Sequence, residues 1–187
     1  KIFEPGSRPV PGEGDQCTGM AGLSRLGGFA LMIGLAWGAT LHAAEVAVDA
    51  GHTLVAPGAI SARGIGEFAF NRILAGVTSA ALAARGLRVR PVNFDGKIAS
   101  LEARAHAAAG SDFFLSIHHD SVQPQWLEEW DWDGETRSYS DRYTGFSLFV
   151  SRASPDLEAS LRCASAIGAR LRRLGFAPAT HHADSLP

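Results

Sequence analysis

The stretch Val46-Ala-Val-Asp-Ala-Gly-His52, with the glycine-rich run that follows it to Glu67, constrains this chain more than any other. Val46, Ala47 and Val48 read as a short buried strand, closed by Asp49, Ala50 and Gly51. His52 then stands on the loop leaving the strand's carboxyl end, where open α/β sheets diverge into a ligand-binding crevice. Residues 56–60 and 63–66 form a loop, and Glu67 opens a helical pattern. Downstream, Phe113-Phe-Leu-Ser-Ile117 reads as another buried strand, with His118 at its carboxyl end. A parallel sheet would bring His52, Glu67 and His118 to one rim.

The spacing of the remaining elements supports such a sheet. Phe70, Leu74, Val77 and Ala81 recur at helical spacing and Gly86 supplies a C-cap. Leu87 to Val92 reads as a strand whose Pro91 places its end near a sheet edge. Ile98, Leu101, Ala105 and Ala108 mark a second helix, closed by Gly110, before the strand at 112–117. Strand and helix alternating at these distances predict right-handed βαβ units. The expected fold is a single α/β domain with a mostly parallel central sheet flanked by helices. Residues 122–144, acidic and aromatic and then polar, break the rhythm as an ordered excursion over the rim. Its Trp126, Trp130 and Trp132 are suited to packing it against the domain, or to stacking on sugar faces. Phe146 to Val150 returns to strand, and a helix with an apolar stripe from Leu157 to Leu174 follows.

Composition narrows the class. With 187 residues, 46% hydrophobic and 19% charged, the chain can bury a real core. A net charge of -2 without a basic stripe argues against nucleic acid as a partner. Residues 1–19 are proline- and glycine-rich and read as a leader. From Met20, Arg25, the apolar run 28–38 and the small residues Ala43 and Ala44 make residues 20–44 a signal peptide. That run is too short and glycine-rich for a membrane span, so the mature chain is expected to be exported, periplasmic or secreted, without a stable span. The catalytic domain is then 45–187. Cys17 falls in the leader, and Cys163 alone forms no disulfide framework.

Two histidines and a carboxylate suit a catalytic zinc site, in which three protein ligands leave a position for water. Each residue alone has a plainer reading, since a glutamate at a helix start is favourable with the helix dipole anyway. The motifs in order are more specific. Val48-Asp-Ala-Gly-His52, Pro57-Gly-Ala59, Gly64-Ile-Gly-Glu67, Arg104 and Ser116-Ile-His-His-Asp-Ser121 resemble the zinc-dependent N-acetylmuramoyl-L-alanine amidases of the amidase_3 type. The resemblance covers roughly residues 45 to 175, with Ala50 where the family usually has proline and Thr53 where glycine is common.

That resemblance implies His52, Glu67 and His118 as ligands of Zn2+, and peptidoglycan or muropeptides as the substrate. It implies hydrolysis of the amide between N-acetylmuramic acid and L-alanine by a zinc-activated water. It selects His118 over His119, which is left lining the cleft. Asp120 and Ser121 either orient the ligating imidazoles or cap the loop. Arg104 matches a family position, although an exposed helix arginine paired with Glu102 or an aspartate is the plainer reading. His106 reads as helix surface, and His181 and His182 have no ligand spacing to a third group. In the family a late-strand glutamate protonates the leaving nitrogen. Its expected position lies beyond Pro187, so the catalytic acid is unassigned and the chain is expected to be C-terminally incomplete. The excursion at 122–144 is expected to contact substrate or a regulatory protein. Two rival readings remain: a non-catalytic zinc- or muropeptide-binding module, and a zinc peptidase acting on stem peptides.

Overall fold

The computed structural model describes residues 43–180. The leader at 1–19, Cys17, all but the last two residues of the 20–44 signal segment, and His181 and His182 lie outside the described residues. Eight regular elements follow in order: β1 (Glu45–Ala50), α1 (Glu67–Ala83), β2 (Arg88–Val92), α2 (Leu101–Ala107), β3 (Phe113–Ile117), β4 (Glu128–Trp132), β5 (Glu135–Tyr139) and α3 (Leu157–Arg173).

β1 is the centre of a parallel three-stranded sheet ordered β2-β1-β3, with Val46 opposite both Val89 and Phe113. The chain thus winds from β1 outward to β2, then crosses back to β3 on the other side. The point where the order reverses lies between the carboxyl ends of β1 and β3, where a doubly wound sheet opens its crevice. Period-two alternation divides β1 between two packing layers. Val46, Val48 and Ala50 pack with Phe68 and Ala75 of α1 and with Ile117, whereas Ala47 packs with Val92 and Ala108 on the opposite face. Asp49 is in phase with Ala47 and so faces the α2 side, fully buried. β2 is an edge strand, as Pro91 requires.

The start of α1 is capped by the preceding loop. Gly66, the N-cap, has no side chain to offer, and the amides of Glu67 and Phe68 donate instead to the carbonyls of Ala59 (2.8 Å) and Pro57 (2.9 Å). This pins the Pro-Gly-Ala loop to the helix that carries Glu67. α2 is capped by Ser100, whose Oγ accepts from the amide of Ala103 (3.2 Å), and α3 by Asp156, whose Oδ1 accepts from the amide of Ala159 (2.8 Å).

Three expectations change. The buried face of α1 is Glu67, Phe68, Asn71 and Ala75, while Phe70, Leu74 and Val77 are exposed. The helix is rotated because Glu67 and Asn71 must face the site, and Phe68 and Ala75 are the positions that then meet β1. On α2, Leu101 is exposed and Arg104 is buried, because the helix turns its arginine towards Asp49 and the loop after β1. Residues 146–150 form no ladder. Phe146 makes an isolated bridge to Pro178, and its amide and carbonyl bond to residues 177 and 179 instead of a strand.

Within the excursion, β4 and β5 form an antiparallel hairpin. Asp133 and Gly134 both have positive φ (54° and 77°), the requirement of a two-residue type I′ turn. Trp130 donates from Nε1 to the carbonyl of Ala62 (2.9 Å), and Arg63 lies 5.3 Å from the centre of the Trp132 ring. The hairpin is therefore fastened to the glycine-rich loop before Glu67. No helix among the described residues is long and apolar enough to cross a membrane.

Candidate metal centre

His52, Glu67 and His118 converge at the crevice, each offering a ligand atom within 4.8 Å of the others. His52 leaves β1, His118 leaves β3, and Glu67 is the first residue of α1, so three separate elements supply the cluster. His52 Nε2 lies 3.1 Å from Glu67 Oε2, and His118 Nδ1 lies 3.1 Å from Glu67 Oε1. Each imidazole thus meets its own carboxylate oxygen. The two rings are edge-on, 5.0 Å apart at 75°.

Close packing sets these positions. Gly51 donates its amide to the carbonyl of Ile117 (3.0 Å), extending the β1–β3 pairing, and the His118 ring lies where a β-carbon at position 51 would be. Gly58 (φ 79°) likewise leaves room, since a β-carbon there would come within 2.6 Å of both Glu67 Oε2 and the His52 ring.

The glutamate is buried (3% exposed) yet ionised. Burial pushes its carboxyl upward, but hydrogen bonds from His118, Asn71 and the amides of His119 and Ala59 outweigh burial and hold it at about 2 instead of the usual 4.5. His118 is raised chiefly by its bond to Glu67, against burial, with the charges of Glu67, Asp120 and Asp49 adding to the rise. Asn71, fully buried, is the hub of this arrangement. Its Nδ2 donates to the Gly51 carbonyl and to Glu67 Oε1, both at 3.1 Å. With that nitrogen as donor, Oδ1 accepts from His119 Nδ1 (2.7 Å), which fixes the proton of that imidazole on Nδ1. His119 thus turns onto α1, its ring 5.9 Å from Phe70, and stays out of the three-residue cluster. Burial lowers its pKa.

His52 has a left-handed backbone (φ 66°), and its carbonyl accepts from Asn93 Nδ2 (2.6 Å) and Arg104 Nη2 (3.0 Å). Asn71 and Asn93 belong to none of the sequence motifs, and Arg104, at the position the resemblance marks, is a buried bonding partner of the site. His106 is exposed and pairs with Glu102 across one helical turn (3.6 Å).

The donor set suits a divalent metal. Two imidazoles and one carboxylate are a common catalytic zinc set, and their ligand atoms gather within 4.8 Å of one another. An open cleft of about 150 Å³ adjoins the cluster, with Ala56, Ala99, Leu101 and Arg104 beside the two histidines.

Fold and site together describe an α/β protein with a two-histidine, one-carboxylate centre at the switch point of its sheet. The chain belongs to the Amidase_3 family of N-acetylmuramoyl-L-alanine amidases, whose family model matches residues 46–184. Among solved structures it is similar to the N-acetylmuramoyl-L-alanine amidase AmiC2 of Nostoc punctiforme, at 24% identity and a TM-score of 0.41 over 43% of this chain. The chain spans 46% of that protein's length. No curated protein matches it significantly.

Proposed function

We propose that this protein hydrolyses the amide bond between N-acetylmuramic acid and L-alanine in bacterial peptidoglycan, with zinc held by His52, Glu67 and His118. The observation that carries this reading is the convergence of those three residues at the crevice of a chain that belongs to the amidase family. Bound there, zinc would supply Lewis acidity, lowering the pKa of a water and polarising the scissile carbonyl.

The chain's own residues prepare the centre. Glu67 is kept ionised by its four bonded partners, so no proton has to leave it before a cation binds. Asn71 and the His119 amide fix Oε1, and the Ala59 amide fixes Oε2 at 3.2 Å. On this reading the scissile amide would enter the cleft beside the histidines. Ala56, Ala99 and Leu101 supply its apolar wall. Hydrolysis also requires a proton for the leaving nitrogen. Export to the wall accords with the signal-like sequence of residues 20–44.

Purified peptidoglycan incubated with the zinc-loaded chain tests the activity. Intact stem peptides should be released, and release should cease in His52→Ala. Shortened peptides would favour the peptidase reading. One equivalent of bound zinc without any product would mean an assembled centre that lacks its proton donor, which is also the state the binding-module reading describes.

A further inference from the structure

We infer that Asn93 and Arg104 are positioning residues for the metal centre, holding His52 in its left-handed conformation by a two-sided grip on its carbonyl oxygen. The inference rests on the reading of His52 as a metal ligand. An L-residue with φ of 66° is uncommon and persists only where its surroundings hold it. Glycine is the usual solution at such a turn, but glycine has no imidazole. Position 52 therefore needs outside support for a conformation that glycine would adopt freely.

That support comes from the β2–α2 connection. Asn93 Nδ2 donates to the carbonyls of both Ala50 (2.7 Å) and His52 (2.6 Å), spanning Gly51 and fixing the turn on either side of it. Arg104 adds a third bond, from Nη2 to the His52 carbonyl (3.0 Å). Each clamp residue is itself held. Asn93 is 4% exposed and its Oδ1 accepts from the amide of Ile98 (2.9 Å), while Arg104 is 4% exposed and donates from Nε to the Ile98 carbonyl (2.9 Å). Asp49 is tied by Ser116 Oγ (2.6 Å). Arg104 approaches that carboxylate only to 3.8 Å, farther than either carbonyl. Arg104 thus pairs with the buried Asp49 through Nη1, while its shorter contacts, from Nε and Nη2, hold the two backbone oxygens.

The test compares zinc affinity, the visible spectrum of the cobalt-substituted protein and the melting temperature of the metal-free chain. Asn93→Gly keeps a left-handed backbone accessible and removes only the amide. Arg104→Lys keeps the charge near Asp49 and loses the planar fork. Ala75→Gly, in the core away from the clamp, is the control for general loosening. Both clamp variants should bind zinc about 10- to 100-fold more weakly, the range for groups that orient a ligand, and should shift the cobalt spectrum. The control should melt earlier with affinity and spectrum unchanged. Wild-type affinity and spectrum in Asn93→Gly would overturn the inference, as would an equal loss of affinity in Ala75→Gly. Failure of the wild-type chain to bind either metal would overturn the ligand reading, and the inference with it.

Discussion

The imidazole of His118 occupies the space that a side chain at Gly51 would need. The two residues follow paired positions at the ends of β1 and β3, and the absence of a β-carbon leaves room for the ring at the strand end. Gly51→Ala should displace the ring. We expect a loss of stability of about 1–3 kcal/mol, as for overpacked sites, together with weaker zinc binding. Urea unfolding and a zinc titration of the same variant check both.

Asn71 joins the strand end, the glutamate and His119 through one amide group. Asn71→Ala leaves those buried partners unsatisfied and should cost about 1–3 kcal/mol. Chemical denaturation of the metal-free chain gives the figure. A change within error would mean that water replaces the amide.

Acid should weaken the metal-free fold through Glu67. Its carboxyl is held at about 2 in the folded chain, against 4.5 ordinarily. A depressed folded value means that its contribution to stability is complete above pH 4.5 and is lost as pH falls towards 2. Glu67→Gln has no such carboxyl to protonate. Its denaturation midpoint should therefore fall less steeply than the wild type's over that window, and parallel curves would contradict the assignment.

The hairpin should be separable from the metal centre. Trp130→Ala removes the bond to the Ala62 carbonyl and the stacking on Trp132 (5.1 Å), so β4 and β5 should open more often. Limited proteolysis should cut the variant faster within residues 128–139, with zinc affinity unchanged.

Much of this arrangement is legible in the sequence. A short apolar strand ending in Gly51-His52, and another ending at Ile117-His118, place two histidines at strand ends once the sheet is parallel. Glu67 at a helix start completes the set. What escapes is the phase of the helices. Apolar periodicity on α1 selects Phe70, Leu74 and Val77, but the face is set by the polar pair Glu67 and Asn71, which a hydrophobic count scores as surface. Arg104 is marked by the resemblance, but its burial is not legible, because its partners are the carbonyls of Ile98 and His52. The hairpin did carry a local signal in Asp133-Gly134, where both residues need positive φ. The strand expected at 146–150 fails because its apolar composition fits equally well against α3, where Leu148 and Phe146 pack beside Gly168.

On the reading above, His52, Glu67 and His118 together hold one zinc ion. X-ray absorption at the zinc edge of the loaded chain, run beside His52→Ala, His118→Ala and Glu67→Ala, tests it most directly. The expected result is one zinc per chain, with two imidazole nitrogens and oxygen donors at about 2 Å, and loss of tight binding in each variant. Full occupancy in any one of the three, or a sulfur donor from Cys163, would contradict it.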